Sequence, residues 1–335
     1  MGEYRRPPCV ARGLAYSIPV VGSGRVGPCA VCFALRMPST HRVANTAAAI
    51  AAVLFGASVV AVRIAVRDVP PFALAFLRFG LGALALFAAL LLFRRNRLRV
   101  GRSDVGYLAV LGFLFYGVFP ITFNAGLRYI EASRAALILA TMPLWTVIIA
   151  RRIAHERLTV RQVIGVLISV AGVAVVMADR GVGHAAGSIR GDLLLGTTAI
   201  CGAIYNVSAK RMLKRYDGVT VTFYAMLFGS LLLAPTLLFE RGWSIGVSSR
   251  ETMLLIVFLG LFGGALAFSM WTSALRRLSP TQVAVYINLN PVAATLLAAT
   301  LLDERLSVWF VIGFLAVAAG VLIVNWTPPT LPSPN

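Results

Sequence analysis

Long apolar runs alternate with short polar breaks down almost the whole length of this chain. Windows of about 19 residues pick out runs at 44–66, 71–93, 105–127, 132–151, 160–178, 192–209, 218–239, 253–275, 279–301 and 307–326. About 20 apolar residues in a helix cover the hydrocarbon of a bilayer, so each run is long enough to cross. A crossing segment must be helical, because hydrocarbon offers its backbone N–H and C=O groups no other partner. The breaks are too short to hold a water-soluble domain. The longest, residues 179–191, contains Gly181, Gly183, Gly187 and Gly191 and reads as a flexible linker. The pattern predicts an all-α integral membrane protein with ten transmembrane helices.

The two ends differ from the rest. Residues 1–43 contain Pro7, Pro8, Pro19, Pro28, Pro38 and six arginines, without the clean apolar stretch that a signal peptide needs. They read as a disordered leader, and Met37 is an alternative start. Residues 327–335, TPPTLPSPN, read as a disordered tail.

Sliding the sequence against itself by 148 residues reveals a duplication. HERLTVRQVIGVLISVAGVAVV at 155–176 falls on DERLSVWFVIGFLAVAAGVLIV at 303–324. Pro143 lands on Pro291, Gly165 on Gly313 and Gly172 on Gly320, and residues 126–178 share 17 identities with their counterparts. Shared hydrophobicity alone does not produce so many. The chain is therefore expected to be two five-helix repeats, 44–178 and 192–326. Five is odd, so the second repeat enters the membrane from the opposite side, which makes the repeats inverted. Inverted repeats are characteristic of secondary transporters, because exchanging the conformations of the halves turns an inward-open cavity outward.

Composition narrows the class further. Hydrophobic residues make up 59% and charged residues 13%, against about 25% charged in a soluble domain. A soluble enzyme and a disordered chain are both excluded. A net charge of +19 would elsewhere raise nucleic-acid binding. Here the arginines sit in short clusters between the runs, where membrane topology accounts for them. With the N-terminus inside, Lys and Arg number 21 on inner segments against 8 on outer loops. Both termini are thus expected in the cytoplasm, and the protein in the plasma (inner) membrane. Four cysteines make no disulfide framework, and Cys29-Ala30-Val31-Cys32 is a lone pair without histidines at zinc spacing. No metal or cofactor is expected. The expected partners are the lipid bilayer and a small-molecule substrate; no motif fixes the oligomeric state.

Gly56-Ala57-Ser58 with Arg63, the Pro70-Pro71 pair with Arg78, and Glu-Arg-Leu at 156–158 and 304–306 form an ordered set. Together they resemble the EamA type of the drug/metabolite transporter superfamily, over residues 44–326. The resemblance implies ten helices and carriage of small metabolites, often export of amino acids or drugs. Family members often carry Trp where Phe55 and Gly202 stand, so an aromatic role there is weakened or lost.

Candidate site residues follow from what a span tolerates. Proline inside a span breaks the helix, and broken helices at matching places in two repeats mark a substrate site. Pro143 and Pro291 are such a pair. Gln282, Tyr286 and Asn290 fall at i, i+4 and i+8, one stripe of a helix, with Asn288 on another face. Polar side chains facing lipid are costly, so the stripe is expected to face the interior. Tyr116, Asn124, Tyr205, Asn206, Trp271 and Thr272 add polar atoms in other runs. For each, the competing role is an interhelical hydrogen bond worth about 0.6 kcal/mol. Arg78 lies roughly 10 Å deep in its run; it either snorkels to the interface or attracts a carboxylate or phosphate. No Asp or Glu lies near the middle of a run, which favours neutral, zwitterionic or anionic substrates and leaves no evident proton carrier. Glu156 and Glu304 are expected to cap the following helix or to pair with arginines. The expected function is secondary active transport of small metabolites by alternating access. The alternative is a membrane-embedded lipid-processing enzyme, which would need a nucleophile–base pair or metal ligands beside the spans.

Overall fold

Helix α1 starts at Ser39 and runs to Ala65 in the computed structural model, which describes residues 39–93, 98–130, 132–179, 189–240, 249–302 and 307–326. The first five residues of that helix were expected in the leader. No glycine or proline separates Ser39 from Ala44, so nothing stops the helix reaching back. The rest of the leader, most of the 179–191 linker, Glu304 and the tail lie outside the described residues.

After α1 come α2 (Pro71–Phe93), α3 (Arg102–Gly126) and α4, which is Ala132–Leu139 resumed as Met142–Ile153. Helix α5 is Val160–Asp179 and α6 is Ile189–Leu213. Helix α7, Gly218–Leu233, is prolonged by a 3-10 turn at Ala234–Phe239. Next comes α8 (Arg250–Arg277), then α9 in three pieces (Pro280–Ala284, Val285–Asn288 and Leu289–Leu302), then α10 (Val308–Asn325). The offset of 148 recurs at helix ends: α1 and α6 end at the counterparts Ala65 and Leu213, and α3 and α8 start at the counterparts Arg102 and Arg250.

Eight of these helices are long and apolar enough to cross a membrane, two fewer than expected. The exceptions are α6 and α9. Helix α6 has a low mean hydropathy because Asp192, Lys210 and Arg211 sit in its end turns and Tyr205 and Asn206 within it. Helix α9 offers no unbroken run, since a 3-10 turn at Val285–Asn288 precedes Pro291. That turn advances the chain about 120° per residue instead of 100°, so the stripe expected through Gln282, Tyr286 and Asn290 is broken.

The repeats run in opposite directions. Gly165 packs on Gly320 and Gly172 on Gly313, which is possible only if α5 and α10, counterparts of each other, lie antiparallel. A Cβ on Gly172 would come within 2.7 Å of the Gly313 carbonyl oxygen, so only glycine allows these backbones so close. The repeats also interlock: α1 packs on α8 and α9, and α6 on α3 and α4.

Polar contacts tie the repeats at both ends. Tyr216 Oη donates to Asp104 Oδ2 at 2.8 Å, and Arg215 Nη1 donates to both Asp104 oxygens at 2.8 and 2.9 Å. The counterparts of Tyr216 and Asp104 pair again at the other end, where Thr252 Oγ1 donates to Asp68 Oδ2. There Glu240 also caps α2, accepting from the N–H groups of Phe72 at 3.0 Å and Ala73 at 2.8 Å.

Candidate functional site

Five helices deliver aromatic rings to one buried place. Phe55 comes from α1, Phe79 from α2, Phe115 and Tyr116 from α3, Tyr205 from α6, and Phe268 and Trp271 from α8. Phe115 stacks on Tyr205 with centroids 4.2 Å apart, and Phe55 lies 4.6 Å from Phe268 and 5.8 Å from Trp271. Tyr116 sits edge-on to Phe79 at 5.3 Å and to Phe268 at 5.1 Å. Such edge and offset contacts add to simple area burial and fix the ring positions. Phe55 therefore keeps an aromatic role, contrary to expectation. Gly202 does not, and faces Met142 and Phe119.

Two of the contributing helices are locally π-wound, at Phe113–Val118 in α3 and Leu259–Leu266 in α8. Tyr116 rides on the first. The Gly263 carbonyl of the second accepts from Arg78 Nη2 at 3.1 Å, and the guanidinium stands 5.3 Å from the centre of the Phe79 ring. Arg78 therefore turns inward instead of snorkelling. Its Nε is sealed from solvent without a hydrogen-bond partner, and the hydroxyls of Tyr116 and Tyr205, sealed as well, have only each other within reach. The three groups lie within electrostatic reach, Arg78 of Tyr116 and Tyr116 of Tyr205. Buried donors left unsatisfied are rare and call for a ligand or water. The chemistry on offer is a positive charge with a free N–H donor, beside two phenol hydroxyls, among aromatic faces.

The remaining expected residues divide. Trp271 Nε1 donates to Asn206 Oδ1 at 3.0 Å, and Asn206 Nδ2 reaches Met142 Sδ at 3.9 Å. This chain fixes the indole and links it to the break in α4, one residue before Pro143. Helix α9 is broken at the matching place before Pro291, where Asn290 Oδ1 is buried without a partner. Tyr286 is buried in the main core. Two residues are drawn elsewhere. Asn124 Nδ2 donates to the Pro71 carbonyl at 3.3 Å, and Gln282 completes a capping box with Ser279 at the start of α9. The Ser279 N–H is one of the unpaired donors of a helix start and claims Gln282, whereas Asn124 adds a bond to a carbonyl at the start of α2.

Glu156 does not cap α5; Thr159 and Gln162 do so by pairing with each other's backbone N–H. The αL conformation of His155, φ 50°, turns the chain back, and Glu156 Oε2 accepts from Thr281 Oγ1 of the other repeat at 3.3 Å. Phe79, Phe115, Phe268 and Gly263 join the site without standing out in the sequence. Only the Phe115-Tyr116 adjacency hinted at them, since in apolar runs phenylalanine looks like lipid-facing filler.

Interlocked inverted repeats around a buried cationic and aromatic site define a class, the two-repeat helical membrane protein. Residues 42–178 and 189–326 each match the model of the EamA-like transporter family, and the chain belongs to that family. An uncharacterized transporter of Archaeoglobus fulgidus is 28% identical over 276 residues, covering 82% of this chain and 96% of that one. The uncharacterized transporter YyaM of Bacillus subtilis is 29% identical over 74% of this chain and 82% of its own. A Streptantibioticus cattleyicolor protein described as a "Probable terminal-alkyne amino-acid exporter" is 29% identical over 72% of this chain and 79% of its own. A solved crystal structure matches with a TM-score of 0.73 at 23% identity, covering 84% of this chain and 95% of that one, and shares the fold.

Proposed function

We propose that the protein is a secondary active transporter that exports a small carboxylate-bearing metabolite, an amino acid or a related compound, by alternating access. The substrate sits between the repeats with its carboxylate on Arg78, Tyr116 and Tyr205 and its apolar part against Phe55, Phe115, Phe268 and Trp271. One observation carries this reading: a buried cationic donor, Arg78 Nε–H, lacks a partner beside two buried phenols in the same aromatic surround. A carboxylate would satisfy that donor and accept from the phenol hydroxyls, and charge-assisted bonds of that kind are the strong ones. The name given to the Streptantibioticus relative points to the same substrate class. In this reading both termini lie in the cytoplasm and the membrane is the plasma (inner) membrane, following the arginine distribution.

Efflux of a metabolite panel from cells with and without the protein tests the proposal. Wild type should lower the cellular content of some carboxylate-bearing members. Arg78→Gln should cut that flux by about tenfold or more, the worth of one hydrogen bond to a charged group, and spare neutral members. Equal loss for charged and neutral members would make Arg78 structural, and no flux of any member would refute the proposal.

A further inference from the structure

Arg78 is held by a carbonyl that an ordinary α-helix would have committed to its own ladder. The π-wound turn of α8 presents Gly263 O to Nη2, and Phe79 covers one face of the guanidinium. The remaining donor on that side, Nε–H, has no partner. Gly263 also leaves the room: a Cβ there would stand 2.2 Å from Ser58 Oγ and 3.5 Å from Arg78 Nη2. Ser58 is itself committed, donating to the Leu54 carbonyl at 2.7 Å.

The other repeat lacks this arrangement. By the offset of 148, the counterpart of Arg78 is Met226 and the counterpart of Gly263 is Phe115. The π turn recurs in α3, yet there it carries an aromatic wall, Phe115 and Tyr116, in place of a bare carbonyl. Functional sites are where π turns concentrate. Here the same backbone irregularity does different work in each half.

We propose that Gly263 is the positioning residue of the site. Its carbonyl and its missing side chain fix the guanidinium so that Nε–H is presented with the two phenols, giving one anion-binding position per chain. This rests on the carboxylate reading above and goes beyond it by naming what orients the charge.

Benzoate and its uncharged isostere benzamide, titrated against the full-length protein in lipid nanodiscs, form the test. Wild type should bind benzoate more tightly than benzamide. Gly263→Ala forces Ser58 and the turn apart, so it should weaken benzoate about tenfold and leave benzamide within twofold. Ser58→Ala alone should be silent. Combined with Gly263→Ala it removes the clashing oxygen, leaving Ser58 Cβ 3.3 Å from the new methyl, and should restore benzoate binding. Equal weakening of both probes by Gly263→Ala, or unchanged benzoate binding, overturns the positioning role while Arg78→Gln still abolishes the preference. Absence of any preference for benzoate in wild type, with Arg78→Gln also silent, overturns the carboxylate reading itself and the positioning role with it.

Discussion

Burying an arginine in a membrane protein costs several kcal/mol unless something answers its charge. Among the described residues no carboxylate is paired with Arg78; a carbonyl and an aromatic face compensate in part. The hydroxyls of the two phenols nearby have only each other within reach, without good hydrogen-bond geometry. Removing one of them should be neutral or stabilising for the fold, because a poorly paired buried donor returns little of its desolvation penalty. Tyr205→Phe is therefore expected to keep or raise the unfolding temperature in detergent while lowering carboxylate flux about fivefold, the worth of about 1 kcal/mol. Lower stability in that variant would mean that the hydroxyl holds the fold together. At this scale the sequence was a partial guide. Arg78, Tyr116, Tyr205 and Trp271 stand out as polar or amphipathic groups in apolar runs, and the structure groups them. Asn124 and Gln282 stand out equally, yet backbone groups at helix starts take them. Composition does not distinguish these fates.

Elements depart from ideal helices where the repeats need them to. Helices α4 and α9 break just before Pro143 and Pro291, and α3 and α8 are π-wound at matching positions. The prolines announce the first pair of irregularities. Nothing local announces the second, since FLFYGV and LGLFGGAL are ordinary apolar sequence. The glycine pairs of α5 and α10 behave as the duplication suggests. Gly172→Ala should destabilise the protein by about 1–3 kcal/mol, the usual cost of overpacking, because the new methyl would meet the Gly313 carbonyl oxygen at 2.7 Å. Thermal unfolding in detergent measures this, and a fully stable variant would show slack between α5 and α10.

Across the whole molecule, inversion has a directly testable consequence. Gly101 and Ser249 are counterparts at the starts of α3 and α8. With the other cysteines replaced, Ser249→Cys should react with a membrane-impermeant maleimide in intact cells. Gly101→Cys should react only after permeabilisation. Labelling of both from the same side would refute the opposed orientation in the membrane. The bond between Tyr216 and Asp104 at one end is matched at the other by that between Thr252 and Asp68, with the carboxylate moved to the opposite partner. The halves are thus equivalent in backbone and unequal in chemistry.

Sequence alone determined that the chain is a helical membrane protein built from two duplicated halves. Apolar run length, twofold repetition and arginine placement are one-dimensional properties, and hydrocarbon leaves the backbone a single way to satisfy itself. Tertiary structure alone decided which side chains meet in the buried aromatic cluster. That depends on helix rotation, on π and 3-10 turns that shift the facing residues by large angles, and on competition from unpaired backbone groups. Each is settled by packing across the repeat boundary, between residues far apart in the chain.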